Sequence, residues 1–232
     1  MTGGFVAVSV ADGIGRLRLT RAEKRNAISH AVVDEAEAGM RELVRRGVRV
    51  AVLEADAPTF CSGNDLSEIA GMTDAASTAV VRLLDALLTH PLFWLGSVSG
   101  PALGGGVAVV AVCPMAIAAD DAWFALTENR IGLFPSGVLS YLEAVMGARA
   151  SFGAGLFGQP ISAAEAVPLG VVNETCRRER LADRVDELAR VLAAQPEVTD
   201  AGRRVWQQRF RTTGFVERQR QLDAVLEASR RR

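Results

Sequence analysis

Three consecutive glycines, Gly104 to Gly106, constrain this chain of 232 residues more than any other feature. They lead directly into an apolar segment of helical length that reaches Cys113. Glycine lets the main chain turn tightly and lets a ligand approach peptide N–H groups without a Cβ atom in the way. Since the first N–H groups of a helix have no partner inside it and lie at the positive end of its dipole, the segment predicts a site for an anion or a developing oxyanion. The glycines alone leave open that they only permit close packing of a helix on a strand.

The overall composition is that of an ordinary globular protein. Hydrophobic residues make up 49% and charged residues 23% of the chain, which is long enough for one α/β domain with a small appendage. The net charge of -1 offers no electrostatic footprint for nucleic acid. The longest apolar run, residues 103 to 119, is interrupted and shorter than the roughly 20 residues of a spanning helix. We therefore expect neither a nucleic-acid nor a membrane partner.

The cysteines, the histidines and the N-terminus indicate no further chemistry. The chain does not begin with a basic region followed by an apolar stretch and a cleavage site, so we expect no secretory signal and a cytoplasmic location. The three cysteines are widely spaced, which indicates neither a disulfide framework nor a zinc site. His30 and His90 are the only two histidines, which excludes a histidine-rich metal centre, so we expect no metal.

Alternating residues at the start of the chain predict a parallel α/β arrangement entered through a hairpin. Residues 5–10 and 16–20 read as two strands around a turn at 12–15. Ser29 stands where a helix N-cap belongs, and an apolar stripe follows it up to Gly47. Because residues 48–53 then form a strand, the order strand, helix, strand indicates a crossover unit and a largely parallel sheet.

The rest of the chain continues the alternation and then changes composition. We expect helices over 74–88, 138–146 and 181–194, and strands over 91–99, 114–119, 122–124 and 171–173. Ser162 and Glu165 fit a capping box for a helix that stops at residues 169–170. Beyond residue 195 the chain is rich in Arg and Gln, so we divide it into a core domain, 1–195, and a helical packing or oligomerisation region, 196–232.

Two loops and one acid are candidates for a site. Residues 62–64 and the glycine triplet each follow a predicted strand, and N–H groups from both loops aimed at one point would form an oxyanion hole. Glu128 lies in an apolar stretch, where loss of solvation would raise its pKa and suit it to general acid–base work near neutral pH. The alternative is a structural acid that pairs with Arg130.

At these residues the sequence resembles the enoyl-CoA hydratase/isomerase, or crotonase, family. Blocks in family order carry the resemblance: Leu19-Thr-Arg-Ala-Glu-Lys-Arg-Asn-Ala-Ile28, Phe60-Cys-Ser-Gly-Asn-Asp-Leu66, Gly100-Pro-Ala-Leu-Gly-Gly-Gly106, Ala122-Trp-Phe124 with Gly132-Leu-Phe-Pro135, and Gln159-Pro-Ile-Ser-Ala-Ala-Glu-Ala166 with Leu169-Gly-Val-Val-Asn173. The resemblance implies an α/β fold, a spiral of ββα units, with C-terminal helices that pack in a homotrimer or a dimer of trimers.

The resemblance also implies the ligand and its contacts. The ligand is an acyl-CoA thioester, with coenzyme A as part of the substrate and no separate cofactor. The N–H groups of Asn64 and Gly105 would hold the thioester oxygen, and Lys24 and Arg25 would lie over the adenine and phosphates of CoA. The remaining positions that match the family's substrate-binding segments are Ala27, Ser62, Gly63, Asp65, Leu66, Gly104, Ala108, Leu133 and Ser136.

One departure from the family pattern decides the expected chemistry. Hydratases of the family carry a first glutamate two residues after the glycine triplet and a second one 20 residues later. Here the first position is Ala108, and only the second, Glu128, is an acid. Hydration needs a water held between two carboxylates, whereas one base is enough to move a double bond. Isomerases of the peroxisomal type place their glutamate near Ser136, where this chain has serine.

These residues favour one function and leave others open. We expect an enoyl-CoA isomerase that converts 3-enoyl-CoA into 2-enoyl-CoA, with Glu128 as the proton-shuttling base and the dienolate held by Asn64 and Gly105. The alternatives are a weak enoyl-CoA hydratase or thioesterase, and a non-catalytic subunit that binds acyl-CoA. Ala108 is the residue that keeps the last alternative open.

Overall fold

The chain folds, in a computed structural model that describes residues 4–56, 58–69, 78–211, 215 and 217, around two β-sheets. The larger sheet has six strands in the order β1-β2-β3-β4-β6-β9, and only its first pair is antiparallel. The smaller sheet has the order β5-β7-β8. The strands are β1 Val6–Ala11, β2 Ile14–Leu19, β3 Val50–Ala55, β4 Phe93–Val98, β5 Ala102–Leu103, β6 Met115–Ala119, β7 Trp123–Ala125, β8 Ile161–Ser162 and β9 Glu174–Cys176.

Helices connect the strands and cover the larger sheet. They are α1 His30–Arg45, α2 Leu66–Ile69, α3 Ala79–Thr89, α4 Gly105–Ala111, α5 Ser136–Met146, α6 Ala148–Phe157, α7 Ala163–Ala166, α8 Leu181–Ala193 and α9 Pro196–Arg209. Single 3₁₀ turns occupy Ala22–Lys24, Glu128–Ile131 and Arg178–Arg180. In the described part of the chain no helix has the length and apolar content to cross a membrane, and no group of side chains is suited to hold a metal ion.

Most elements predicted from periodicity are confirmed. The hairpin β1–β2 is present, the Ser29 side chain accepts a hydrogen bond from the Val32 N–H at the start of α1, and β2, β3 and β4 are parallel. All six residues of β4 are buried, as its apolar sequence predicts for a strand covered on both faces. The capping box of Ser162 and Glu165 is also formed. Of the helix predicted over 74–88, residues 74–77 lie outside the described residues, and the described part corresponds to α3.

Two predictions near the C-terminal half are wrong, and one helix of that half has no predicted counterpart. The strand predicted over 171–173 is wrong, because the strand that pairs with β6 is β9, which begins at Glu174. The helix after Ser162 ends at Ala166, short of the predicted stop at residues 169–170. Helix α6 was not predicted at all: Phe152, Leu156 and Phe157 are exposed, so its apolar residues form no single buried stripe that periodicity could reveal.

Helix α9 packs on its own chain. The Trp206 indole N–H donates to the Val112 carbonyl at 2.9 Å, and the ring of Phe210 is buried against Tyr141 and Trp206. Trp206 and Phe210 of the predicted C-terminal region thus have a partner surface within the chain, whereas Val205 is exposed. Its role in oligomerisation stays a prediction.

Candidate active site

The two glycine loops meet at the carboxyl ends of the central strands. The loop after β3 is joined to the segment before α4, since the Phe60 N–H donates to the Pro101 carbonyl at 2.9 Å and the Leu103 N–H donates to the Cys61 carbonyl at 2.8 Å. Gly63 has a φ of +84°, and a Cβ on it would lie 2.9 Å from the Gly105 nitrogen. Only glycine allows this close approach, which brings the Asn64 and Gly105 peptides side by side.

The hydrogen bonds of these two peptides orient both N–H groups outward. The Gly63 carbonyl accepts from the Ile28 N–H at 2.8 Å, and the Gly104 carbonyl accepts from the Val107 N–H at 3.0 Å. Because C=O and N–H point in opposite directions across a trans peptide, the Asn64 N–H faces away from Ile28 and the Gly105 N–H faces away from the body of α4. Neither N–H donates to an acceptor among the described residues. The arrangement can stabilise a negative oxygen.

Glu128 lies directly beside this pair of donors. It opens the 3₁₀ turn after β7, and a Cβ on Gly104 would lie 2.9 Å from Glu128 Oε1. The other oxygen, Oε2, is buried and has no hydrogen-bond partner among the residues that the structure describes. Arg130 is exposed and forms no ion pair with Glu128, so the structural pairing of these two residues is not what the fold produces.

The protonation of Glu128 follows from this environment. Burial removes water from the carboxylate and raises its pKa to about 6, and backbone N–H groups of Glu128 and Thr127 oppose the rise. A carboxyl group of this pKa exchanges protons readily near neutral pH, as the sequence predicts for a general acid–base residue.

Asp65, which lines the same cavity as Glu128, has the opposite environment. Its carboxylate accepts from the Ser67 hydroxyl at 2.7 Å and from the Arg21 guanidinium at 2.7 Å. These hydrogen bonds outweigh desolvation and lower the pKa of Asp65 to about 2. Asp65 lines the cavity, yet its carboxylate is paired with Arg21 and Ser67. It therefore holds the loop in place and is not available to bind a ligand.

A cavity of about 540 Å³ contains these groups and nearly all of the predicted binding residues. The predicted positions that line it are Lys24, Arg25, Ala27, Ser62, Gly63, Asn64, Asp65, Leu66, Gly104, Gly105, Glu128, Leu133 and Ser136. The exception is Ala108, which is fully buried in α4 and does not line the cavity. The structure therefore shows Ala108 as a core residue. Helix α4 contributes no side-chain oxygen to the cavity.

Further wall residues come from the segment between β7 and α5 and from the first turn of α5. Ile131, Phe134 and Val138 give this side of the cavity an apolar surface. Ser136 begins α5 with 2% of its surface exposed, and its hydroxyl oxygen has no hydrogen-bond partner in the described part of the chain. The segment reads as irregular in the sequence and has no periodicity. Phe134 lies in the family block at residues 132–135, and Ser136 is indicated by the glutamate position of the peroxisomal-type isomerases, whereas Ile131 and Val138 match neither.

The predicted CoA loop is attached to the first glycine loop. The Arg25 carbonyl accepts from the Ser62 N–H at 3.1 Å, and Arg25 and Asn26 both have left-handed φ angles, 53° and 52°. The side chains of Lys24 and Arg25 are exposed and form no salt bridge with a described carboxylate. Two cations thus stand at the rim of the cavity with their charges available to an anionic group.

Comparison with known proteins matches this arrangement to one family. The family model described as enoyl-CoA hydratase/isomerase matches residues 9–226. The 4-chlorobenzoyl coenzyme A dehalogenase-1 of an Arthrobacter species is 31% identical over 202 residues, which cover 82% of this chain and 73% of the dehalogenase. The mitochondrial enoyl-CoA hydratase domain-containing protein 3 of Rattus norvegicus is 28% identical over 190 residues, 79% of this chain. The match spans only 63% of the length of the rat protein.

Solved structures agree with the fold over almost the whole chain. The enoyl-CoA hydratase of Mycobacterium smegmatis superposes with a TM-score of 0.83 at 25% identity and covers 98% of this chain and 91% of its own. A structure from Geobacillus kaustophilus described as an enoyl-CoA hydratase subunit gives a TM-score of 0.81 at 26% identity, with coverages of 97% and 90%. The crotonase-like α/β fold expected from the sequence is confirmed.

Proposed function

The chain belongs to the enoyl-CoA hydratase/isomerase family, and from this premise we propose that it moves the double bond of a 3-enoyl-CoA thioester to the 2 position. The observation that carries the proposal is the environment of Glu128. It is a carboxylate beside two N–H groups that donate to no described acceptor, with one buried oxygen that has no described partner and a pKa raised to about 6. A proton shift requires one such base next to an oxyanion site.

The proposed reaction has two proton transfers. Glu128 removes a proton from C2 of the 3-enoyl-CoA, and the electron pair of the C–H bond spreads over the thioester carbonyl and the double bond to give a dienolate. The N–H groups of Asn64 and Gly105 hold the negative oxygen of this dienolate. The protonated Glu128 then returns its proton to C4, which leaves the double bond between C2 and C3 and restores the carboxylate.

The acids around the cavity favour isomerisation over hydration. Besides Glu128, the acids among the described residues that line the cavity are Asp65, whose charge is paired, and Glu23, which is exposed in the first 3₁₀ turn. Ala108 offers no carboxylate, and it lies in the core. Among the described residues, a water would therefore have one base to activate it where the two-carboxylate arrangement of hydratases has two, whereas a proton shift from C2 to C4 needs one base only.

The rim and the wall suit an acyl-CoA. Lys24 and Arg25 supply positive charge for the phosphates of CoA at the cavity rim, and Leu133 belongs to the apolar wall that would receive the acyl chain. We propose no separate cofactor, since coenzyme A arrives as part of the substrate.

Assembly and location are also proposals. Helix α6 presents Phe152, Leu156 and Phe157 to solvent, each at least half exposed. Apolar side chains grouped on one helix support self-association, which we propose gives a homotrimer or a dimer of trimers. The cytoplasmic location stays a prediction from the N-terminal sequence.

A second candidate is weak hydration of a 2-enoyl-CoA. The unpartnered hydroxyl of Ser136, at the start of α5, is the observation that favours it, because this oxygen could help to hold a water that Glu128 activates. A hydroxyl cannot act as a second base near neutral pH, so we expect hydration to be much slower than isomerisation.

The proposal is tested with purified wild type and Glu128→Gln on 3-enoyl-CoA and 2-enoyl-CoA. We expect the wild type to migrate the double bond, and the variant to be slower by about 10³-fold, since it keeps the shape of the side chain and loses the base. Hydration without migration in the wild type would favour the second candidate. Tight binding of acyl-CoA with equally negligible turnover in both proteins would instead identify a non-catalytic binding protein.

A further inference from the structure

The first turn of α3 contacts both halves of the proposed oxyanion hole. Asn64 Oδ1 accepts a hydrogen bond from the Val80 N–H at 3.0 Å. The Val80 side chain is fully buried and packs behind Gly105, where an added Cβ would lie 2.7 Å from Val80 Cγ1. A single residue of α3 thus touches Asn64 with its backbone and Gly105 with its side chain.

This contact acts on the peptide that carries one of the two donors. The Asn64 peptide is held from the other side by the bond between the Ile28 N–H and the Gly63 carbonyl. The Asn64 side chain adds a second anchor, so that the residue is fixed at both its backbone and its amide. Because a preorganised donor loses no energy to reorientation when charge develops, small changes in its direction lower its effect on the oxyanion.

Resting on the proposed function, we infer that the Asn64 side chain and Val80 are positioning residues, which set the direction and spacing of the Asn64 and Gly105 N–H groups. Neither side chain needs to touch the thioester. The Asn64 amide acts through the Val80 N–H, and the Val80 side chain acts through the backbone of Gly105. A mere helix cap would stabilise α3 without this effect on the donors.

Ordinary capping of α3 can be separated from positioning. The Thr78 hydroxyl also caps this helix, accepting from the Val81 N–H at 3.4 Å, and Thr78 does not hold Asn64. Thr78→Val keeps the shape of the side chain and removes this cap, so it is the matched control for Asn64→Ala. Thr78 lines the cavity, and for this reason we compare the polarisation of the bound thioester and not its affinity.

The test measures polarisation directly, without turnover. The ultraviolet absorption of cinnamoyl-CoA, an aromatic enoyl thioester, moves to longer wavelength when its carbonyl oxygen accepts strong hydrogen bonds. With each protein saturated and its fold checked by circular dichroism, we expect a shift in the wild type, loss of about half of it or more in Asn64→Ala, and nearly the full shift in Thr78→Val.

Each outcome decides a different point. If Asn64→Ala is folded and keeps the full wild-type shift, the positioning role is wrong. If Asn64→Ala does not fold, Val80→Ala is measured in its place, since it leaves the Val80 N–H and removes the packing behind Gly105; a full shift in that variant also contradicts the inference. If the wild type binds cinnamoyl-CoA without any shift, the oxyanion hole itself is absent and the proposed function fails first.

Discussion

Two carboxylates line the same cavity of this protein in opposite states. Asp65 follows the first glycine loop and is bound by Ser67 and Arg21, which lower its pKa to about 2. Glu128 stands beside the second glycine loop with one oxygen buried and unpartnered, and its pKa is about 6. The Asp65 carboxylate is thus ionised at neutral pH, whereas the Glu128 carboxyl group changes its charge near neutral pH.

The difference separates structure from chemistry within the site. A carboxylate held by a cation and a hydroxyl keeps its loop in place and gains stability from ionisation, whereas a carboxylate whose desolvation outweighs its hydrogen bonds is destabilised when charged and takes up a proton more readily. The first arrangement fixes the donor loop of Asn64, and the second supplies the proposed base. Variants of the two acids should therefore change stability in opposite directions.

The largest expected effect on stability comes from Asp65→Asn. The substitution removes a charge from a carboxyl group whose folded pKa lies below its unfolded value, and it leaves the Arg21 guanidinium without its ion pair. We expect the free energy of unfolding at pH 7 to fall by about 2 kcal/mol. Denaturant titrations at several pH values test this, and the difference from wild type should shrink as the pH falls from about 4 towards 2.

An unchanged midpoint in Asp65→Asn at pH 7 would show that the pair contributes nothing to the fold. In that case Asp65 would be free to contact a ligand, and the contrast with Glu128 would be lost. Asp56→Asn is a suitable control, since Asp56 is an exposed acid that lies 3.9 Å from the Arg18 guanidinium and outside the cavity, and its removal should change stability little.

The next effect has the opposite sign and comes from Glu128→Gln. Because the folded pKa of Glu128 lies above its unfolded value, the wild type loses stability as the pH rises from about 4.5 through about 6. The variant does not ionise, so we expect it to be more stable than wild type by about 1 to 2 kcal/mol at pH 8 and equal to it near pH 4. Thermal unfolding at the two pH values measures the difference, and a variant that is less stable at pH 8 would contradict the environment assigned to Glu128.

The smallest effect concerns the exposed cation at the rim. Lys24→Ala removes a charge that has no described carboxylate partner, so we expect little change in stability and a KM for acyl-CoA that rises about fivefold at low salt. The increase should fade at high ionic strength, where the charge is screened. An equal increase at all salt concentrations would mean that Lys24 acts through packing and does not attract the phosphates.

The sequence predicts a helix or strand well where residues close together in the chain indicate it. The Ser29 cap, the buried β4 and the Ser162 capping box each depend on residues close together in the chain, and each is confirmed. Helix α6 has no buried apolar stripe, and β9 is defined by its pairing with β6, which is distant in the sequence. Neither element is therefore indicated by a local sequence pattern.

The site divides in the same way. The glycine loops and Glu128 are recognisable because each is a short motif, and the fold brings them together in one cavity. Three other features depend on tertiary contacts. They are the hydrogen bond from Val80 to Asn64, the hydroxyl of Ser136 without a described partner, and the absence of an ion pair between Glu128 and Arg130. Spacing in the sequence does not determine which partners a buried side chain finds, and those partners decide its pKa.

The central claim is that Glu128, with one oxygen buried and unpartnered among the described residues, is the base of the reaction. The pH dependence of kcat/KM for migration of a 3-enoyl-CoA double bond tests it most directly. We predict that kcat/KM falls about tenfold per pH unit below about 6 and is level from there to about 8, because only the carboxylate form can take the proton. The residual rate of Glu128→Gln should lack this dependence. A wild-type profile without a transition near pH 6, or the same transition in Glu128→Gln, would contradict the claim.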